Sequence, residues 1–228
     1  MKTSDFNAYK IRYRNAIRQA LAQAATGRFD EAAFPAYSHR NPLINWLFWQ
    51  RLRNALEYVE RSAPYEQILD FGCGSGVMLP YLAQVCKRVS AMDVDLLPLE
   101  SAQKYIPLAP NVKVYDATKT TLADLPANSF DLVIALDVLE HVEDLSRALN
   151  EIFALLKPNG RLIVSGPTEN ILYQIGRKIA GPEYSGVYHE RGIAEIKTEI
   201  ARRAHIERIA QLYWCMPLFE IFAAQKTP

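Results

Sequence analysis

Three glycines at alternate positions, Gly72, Gly74 and Gly76, follow an apolar run that contains one acid, Ile68-Leu69-Asp70-Phe71. Glycines in such a turn permit positive φ and let a ligand approach the backbone closely. About 20 residues further on, a second apolar run closes in Ala91-Met92-Asp93, the place from which a carboxylate accepts two hydrogen bonds from ribose hydroxyls. The glycines alone would fit any tight strand-to-helix turn. The turn, the acid and their spacing together argue for a nucleoside.

The kind of nucleoside follows from what is missing. A dinucleotide fingerprint needs a small third residue at position 77, which is Val77. A phosphate-cradling loop needs Gly-Lys-Ser or Gly-Lys-Thr, and neither tripeptide occurs. Asp70 would repel a pyrophosphate but accepts hydrogen bonds from an ammonium group. These residues therefore call for a nucleoside with a cationic tail.

Three stretches carry a family resemblance. Ile68-Leu69-Asp70-Phe71-Gly72-Cys73-Gly74-Ser75-Gly76 resembles the first motif of the class I S-adenosylmethionine-dependent methyltransferases. Phe130-Asp131-Leu132-Val133-Ile134-Ala135-Leu136-Asp137-Val138-Leu139-Glu140-His141-Val142 resembles their fourth-strand motif, and Leu156-Lys157-Pro158-Asn159-Gly160-Arg161-Leu162 their turn into the fifth strand. The resemblance spans residues 67–225 in the right order. It implies S-adenosylmethionine as cofactor and methyl transfer to a small molecule as activity, with a cofactor-binding protein that transfers nothing as the other reading. By position, Asp70, Phe71, Gly72, Cys73, Gly74 and Gly76 would line the methionine part, and Asp93 with Val94 the ribose. Asp116 and Ala117 would reach the adenine, and Leu136 and Asp137 would face the cofactor from strand four. A second acid, Asp95, competes with Asp93 for the ribose, and Asp93 is preferred.

Transfer to oxygen requires removal of a proton, for which histidine is suited near neutral pH. Of the four histidines, His141 just past strand four and His189 in the polar aromatic loop 184–191 are the candidate bases. His39 precedes the second helix and could belong to a cap over the cofactor. His205 opens a strand and reads as exposed. The three cysteines, Cys73, Cys86 and Cys215, show no metal-ligand spacing, and no metal is expected.

The elements that position these residues alternate. Short β-type runs at 67–71, 88–93, 112–116, 130–136 and 161–165 are separated by helical stretches at 76–86, 96–105 and 144–156, the pattern of a parallel sheet. A further helix is expected at 193–204. Two more strands, about 206–213 and 219–225, are too close for a crossover and should pair antiparallel. The expected architecture is α/β: a doubly wound seven-stranded sheet, mostly parallel with a C-terminal antiparallel strand, helices on both faces and an N-terminal helical cap. The cap comprises residues 1–64, with helices near 7–25 and 43–61 and Asn41 as N-cap of the second. Residues 65–228 form the cofactor-binding domain with an insertion at 167–198.

With 26 Lys and Arg against 25 Asp and Glu among 228 residues, the chain lacks the basic excess of a nucleic-acid binder. Three unpaired-looking cysteines and the lack of an apolar segment after the N-terminal basic residues suggest a cytoplasmic protein. The apolar stretch Leu43 to Trp49 is far below the ~20 residues that span a bilayer. That stretch, apolar almost all round its helix, and an amphipathic segment at 169–180 either pack on the core or, if they do more, favour a hydrophobic or lipid-linked acceptor, with at most peripheral membrane contact.

Overall fold

The computed structural model describes residues 3–23, 37, 42–168, 192–212 and 219–226. Two helices, α1 (Thr3–Gln23) and α2 (Pro42–Arg61), precede the sheet. Then come β1 (Tyr65–Phe71), α3 (Leu79–Val85), β2 (Cys86–Asp93), α4 (Leu97–Gln103), β3 (Val112–Asp116) and β4 (Phe130–Leu136). The chain continues with α5 (Leu145–Leu155), β5 (Leu156–Pro167), α6 (Ile193–Ala201), β6 (Ala204–Leu212) and β7 (Phe219–Lys226). Seven strands form one sheet in the order β3-β2-β1-β4-β5-β7-β6. All neighbouring pairs among the first five strands are parallel, and β7 runs antiparallel to both β5 and β6.

The central strands are apolar runs because both their faces are covered. In β1 and β4, successive side chains enter opposite layers: Ile68, Leu132 and Ile134 join one buried cluster, Leu69, Val133 and Ala135 the other. The first cluster holds residues of α1, α2, α3 and α4, the second those of α5 and α6. Residues of the segment 1–64 thus share buried surface with the sheet through Tyr13, Trp49, Leu52 and Val59. Helix α5 shows how the sequence builds such an element. Leu145, Ala148, Leu149, Ile152 and Phe153 recur at helical spacing and are buried, and the Asp144 carboxylate caps the first turn by accepting from the Arg147 amide at 2.9 Å.

Several boundaries differ from the sequence expectation: β1, β2 and β6 each start two residues early and α1 four residues early, and three further differences touch the site and its surroundings. Helix α3 begins at Leu79 rather than at 76, because the glycine segment continues as turns, with Gly76 N–H donating to Cys73 O at 2.8 Å and Leu79 N–H to Gly76 O at 3.1 Å. Strand β5 begins at Leu156 rather than at 161. Leu156 pairs with Phe130, the ladder is interrupted around Asn159 at φ +63°, and it resumes at Arg161 opposite Leu132. Helix α6 ends three residues early, giving way to β6 at Ala204. Asn41, His39, the 169–180 segment and Cys215 lie outside the described residues.

Candidate active site

The register of the sheet brings the sequence candidates to one edge. Phe71 pairs with Met92 and Asp93 with Asp116, and Asp70 is level with Ile134 two residues before the end of β4. The first acid of each loop thus emerges at the carboxyl ends of adjacent parallel strands, beside the switch point between β1 and β4 where such sheets take ligands.

The glycine turn is held by the neighbouring strand. The amides of Gly72 and Cys73 both donate to Met92 O, at 2.8 and 3.2 Å, and Gly74 N–H donates to the Asp93 carboxylate at 2.6 Å. The other Asp93 oxygen accepts from the Asp95 amide at 3.0 Å. The glycines divide by what a side chain would meet. A Cβ at Gly72 (φ +74°) would lie 2.5 Å from Val138 Cγ2, whereas at Gly74 (φ +52°) it would meet nothing within 4 Å. Gly76 faces Leu99 and Leu79 in the core. Gly74 therefore presents bare backbone to open space, with Asp93 hydrogen-bonded to it. Cys73 is buried, and burial, with Asp70 and Asp93 adding to it, pushes its thiol well up.

Asp70 is buried at 5% exposure and makes no ion pair among the described residues. Burial, and then the charge of Asp93, pushes its carboxyl up to about 7. Such a group fits a cation that would lie against it. Asp95 serves its own turn, accepting from the Leu97 amide at 3.0 Å at the start of α4, which leaves Asp93 as the carboxylate turned to the glycines. Val94 is 73% exposed next to it.

At the end of β3, Asp116 accepts from the Thr118 amide at 2.9 Å and from Lys119 Nζ at 2.5 Å, and these partners hold its carboxyl low, at about 2. The Ala117 amide donates to Asp93 O at 2.8 Å. Leu136 is half-buried at the end of β4, and Asp137 follows it at φ +53°. His141 closes the short 3-10 turn Leu139–His141 with an exposed side chain, and His205 is exposed at the start of β6. His189 lies outside the described residues.

Several contributors escaped the sequence reading. Tyr9 and Tyr13 of α1 donate their hydroxyls to the glycine segment, Tyr9 to Val77 O and Tyr13 to Ser75 O at 2.5 Å. Both rings pack edge-on to Trp49 of α2, and burial raises both phenols well above their ordinary range. The i, i+4 spacing of these tyrosines put them on one helical face, but nothing in it named the loop they serve. Arg51 is buried at 3% exposure and paired with Asp137. Here a signal existed: Arg51 falls on the stripe formed by Phe48, Leu52, Ala55 and Val59, where a charge requires a buried partner.

Comparison with known proteins is consistent with this geometry. A family model described as "Methyltransferase domain" matches residues 69–164. A ubiquinone biosynthesis O-methyltransferase of Pseudomonas fluorescens (strain Pf0-1) is 30% identical over 169 residues, covering 73% of this chain and 68% of its own. A mitochondrial protein of the same description from Schizosaccharomyces pombe is 33% identical over 113 residues, covering 48% of this chain and 41% of its own. Among solved structures, an N-methyltransferase from Bradyrhizobium japonicum WM9 in complex with S-adenosylhomocysteine superposes with a TM-score of 0.61 at 18% identity, covering 95% of this chain and 99% of that one. The magnesium protoporphyrin IX methyltransferase of Synechocystis with bound S-adenosylhomocysteine gives 0.57 at 18% identity, covering 93% of each chain.

Proposed function

The chain belongs to the class I S-adenosylmethionine-dependent methyltransferases, and we propose that within them it methylates an oxygen of a small, hydrophobic, lipid-like acceptor. The cofactor is S-adenosylmethionine, which when bound supplies a sulfonium methyl as electrophile. The observation that carries the site assignment is the open space at Gly74, with the Asp93 carboxylate hydrogen-bonded to its amide and the buried Asp70, which has no cationic partner among the described residues, near the end of β1. The acceptor class is supported by the 30% identity to proteins described as ubiquinone biosynthesis O-methyltransferases.

In this reading Asp93 takes the ribose hydroxyls. Both its oxygens already accept one backbone amide, and each retains a lone pair for a further donor. Asp70 faces the cationic methionine end with Phe71, Gly72, Cys73, Gly74 and Gly76 around it. Val94 covers the ribose side, Asp116 and Ala117 border the adenine, and Leu136 and Asp137 close the edge from β4. The protein aligns donor and acceptor and excludes water from the pair. Proton removal from the acceptor hydroxyl falls to His141, exposed one short turn beyond β4, with His189 the second candidate. A cytoplasmic setting accords with Cys73 and Cys86, both free and buried. Among the described residues no helix is long and apolar enough to cross a membrane.

Two measurements test this reading. Asp93→Ala should weaken S-adenosylmethionine binding by about 1.5–3 kcal/mol, the scale of a lost hydrogen bond to a charged group. Calorimetry showing unchanged affinity would remove Asp93 from the ribose. For the acceptor, radiolabelled methyl from the cofactor should enter phenols bearing an apolar chain as alkali-stable ethers, faster than it enters short polar phenols or amines. Label appearing chiefly in amines would overturn the choice of oxygen, and indifference to the chain would overturn the lipid-like acceptor.

A further inference from the structure

Arg51 is a buried cation paired with the acid that follows β4. Its guanidinium contacts the Asp137 carboxylate, and Ser165 Oγ donates to that same carboxylate at 2.9 Å. The Asp137 amide donates to Ser165 O at 3.0 Å, so main chain and side chain of Asp137 are both fixed. The guanidinium lies over the rings of Phe48, 4.9 Å from its centroid, and Phe219, 5.3 Å away, and Nη2 donates to the Tyr37 hydroxyl at 3.3 Å. Helix α2, β4, β5 and β7 thus meet at one ion pair. The next residue, Val138, occupies the space that a side chain on Gly72 would need. Asp137 is therefore the chain neighbour of the residue that packs against the glycine turn, the turn that in the reading above borders the methionine end of the cofactor.

The donor carries a positive sulfonium and the product a neutral thioether. A lone carboxylate at position 137 would hold the donor more tightly than the product, and a lone guanidinium would do the opposite. We propose that Arg51 is a positioning residue that neutralises Asp137 and thereby sets the relative affinity of the site for S-adenosylmethionine and S-adenosylhomocysteine. The proposal rests on the cofactor site described above. Its consequence is a site that binds the donor without an added electrostatic preference at this edge, so that loss of the methyl's charge neither traps nor expels the product there.

The test is the ratio of the two affinities, measured by calorimetry on folded protein at one pH and salt concentration. Arg51→Met should raise the preference for S-adenosylmethionine over S-adenosylhomocysteine roughly tenfold, the effect of one unpaired charge at short range in a partly screened site. Asp137→Asn should shift the ratio by a similar factor in the opposite direction. The double variant should return it to within about threefold of the parent, and Arg51→Lys, which keeps the charge, should leave it near the parent value. Single variants that weaken both ligands equally would overturn the proposal and leave Arg51 a packing residue. Should Arg51→Met fail to fold, the Asp137→Asn ratio decides alone. A parent protein that binds neither nucleoside would overturn the cofactor site itself, a failure distinguishable from an unchanged ratio.

Discussion

Asp70→Asn is expected to make the ligand-free protein more stable while removing most of its affinity for S-adenosylmethionine. The two effects have one origin. The Asp70 carboxyl, 5% exposed, is raised from 3.8 to about 7 by burial and by Asp93. In the unfolded chain it releases its proton near the ordinary carboxylate value. Between about pH 4 and 7 the folded state therefore holds a proton that the unfolded state has lost, so the stability contribution present at low pH disappears as pH rises through 7. Above that pH the ionised group costs up to about 4 kcal/mol, because each tenfold gain in proton affinity on folding corresponds to about 1.4 kcal/mol. Asparagine carries no charge and removes this cost, so the variant should melt higher at pH 8 and match the parent closely at pH 4. Cofactor binding runs the other way. A cation against Asp70 favours the carboxylate, so affinity in the parent should climb by up to about tenfold per pH unit below 7 and level off above it. Asp70→Asn should be weak and nearly flat over the same range. Melting curves and calorimetry from pH 4 to 8 decide the matter, and a parent affinity that ignores pH would detach Asp70 from the cofactor's charge.

The second large effect separates two glycines that look alike in the sequence. Gly72→Ala should cost ~2–4 kcal/mol of folding stability: ~1–2 kcal/mol for a side chain at φ +74°, and the rest for forcing a methyl against Val138, 2.5 Å away. Gly74→Ala bears a similar backbone strain at φ +52° but meets no atom within 4 Å. It should lose only about 1 kcal/mol of stability and more than about tenfold in cofactor affinity, because the methyl enters the space in which a ligand would approach the backbone. Thermal denaturation reads the first variant and calorimetry the second. If Gly74→Ala binds as the parent does, the cofactor does not pass that side of the loop.

Most of the sheet was legible because its signals are local. Apolar runs ending in Asp70, Asp93 and Asp116 mark strands whose carboxyl ends must coincide in a parallel sheet, and the short gap between the last two strands implies their antiparallel pairing. The alternate glycines announced a turn with positive φ, which all three adopt. What they could not announce is which of them faces packing, because Val138 and Leu99 arrive from distant parts of the chain. The same limit applies to α1. Tyr9 and Tyr13 meet carbonyls 68 and 62 residues away, contacts that depend on where the helix docks. The pairing of Arg51 with Asp137 was half-legible: the misplaced charge on α2 could be seen, while its partner required the sheet. The late start of α3 was hidden because Val77 and Met78 continue the apolar run of the helix, while Gly76 at φ +76° and the hydrogen bonds of the glycine turn take precedence there.

Strand β7, seated between β5 and β6, has a consequence for the order of assembly during synthesis. A ribosome delivers β6 before β7, yet among the described residues β6 pairs in the sheet with β7 alone. Until residues 219–226 emerge, both β5 and β6 expose unsatisfied edges of the kind that recruit other chains. A nascent chain would carry the methyl-donor edge nearly formed while this flank stayed open. Arrest or truncation before Phe219 would therefore remove two pairings at once, along with one of the two rings that lie against Arg51, and should yield an aggregation-prone product rather than a slightly shortened enzyme.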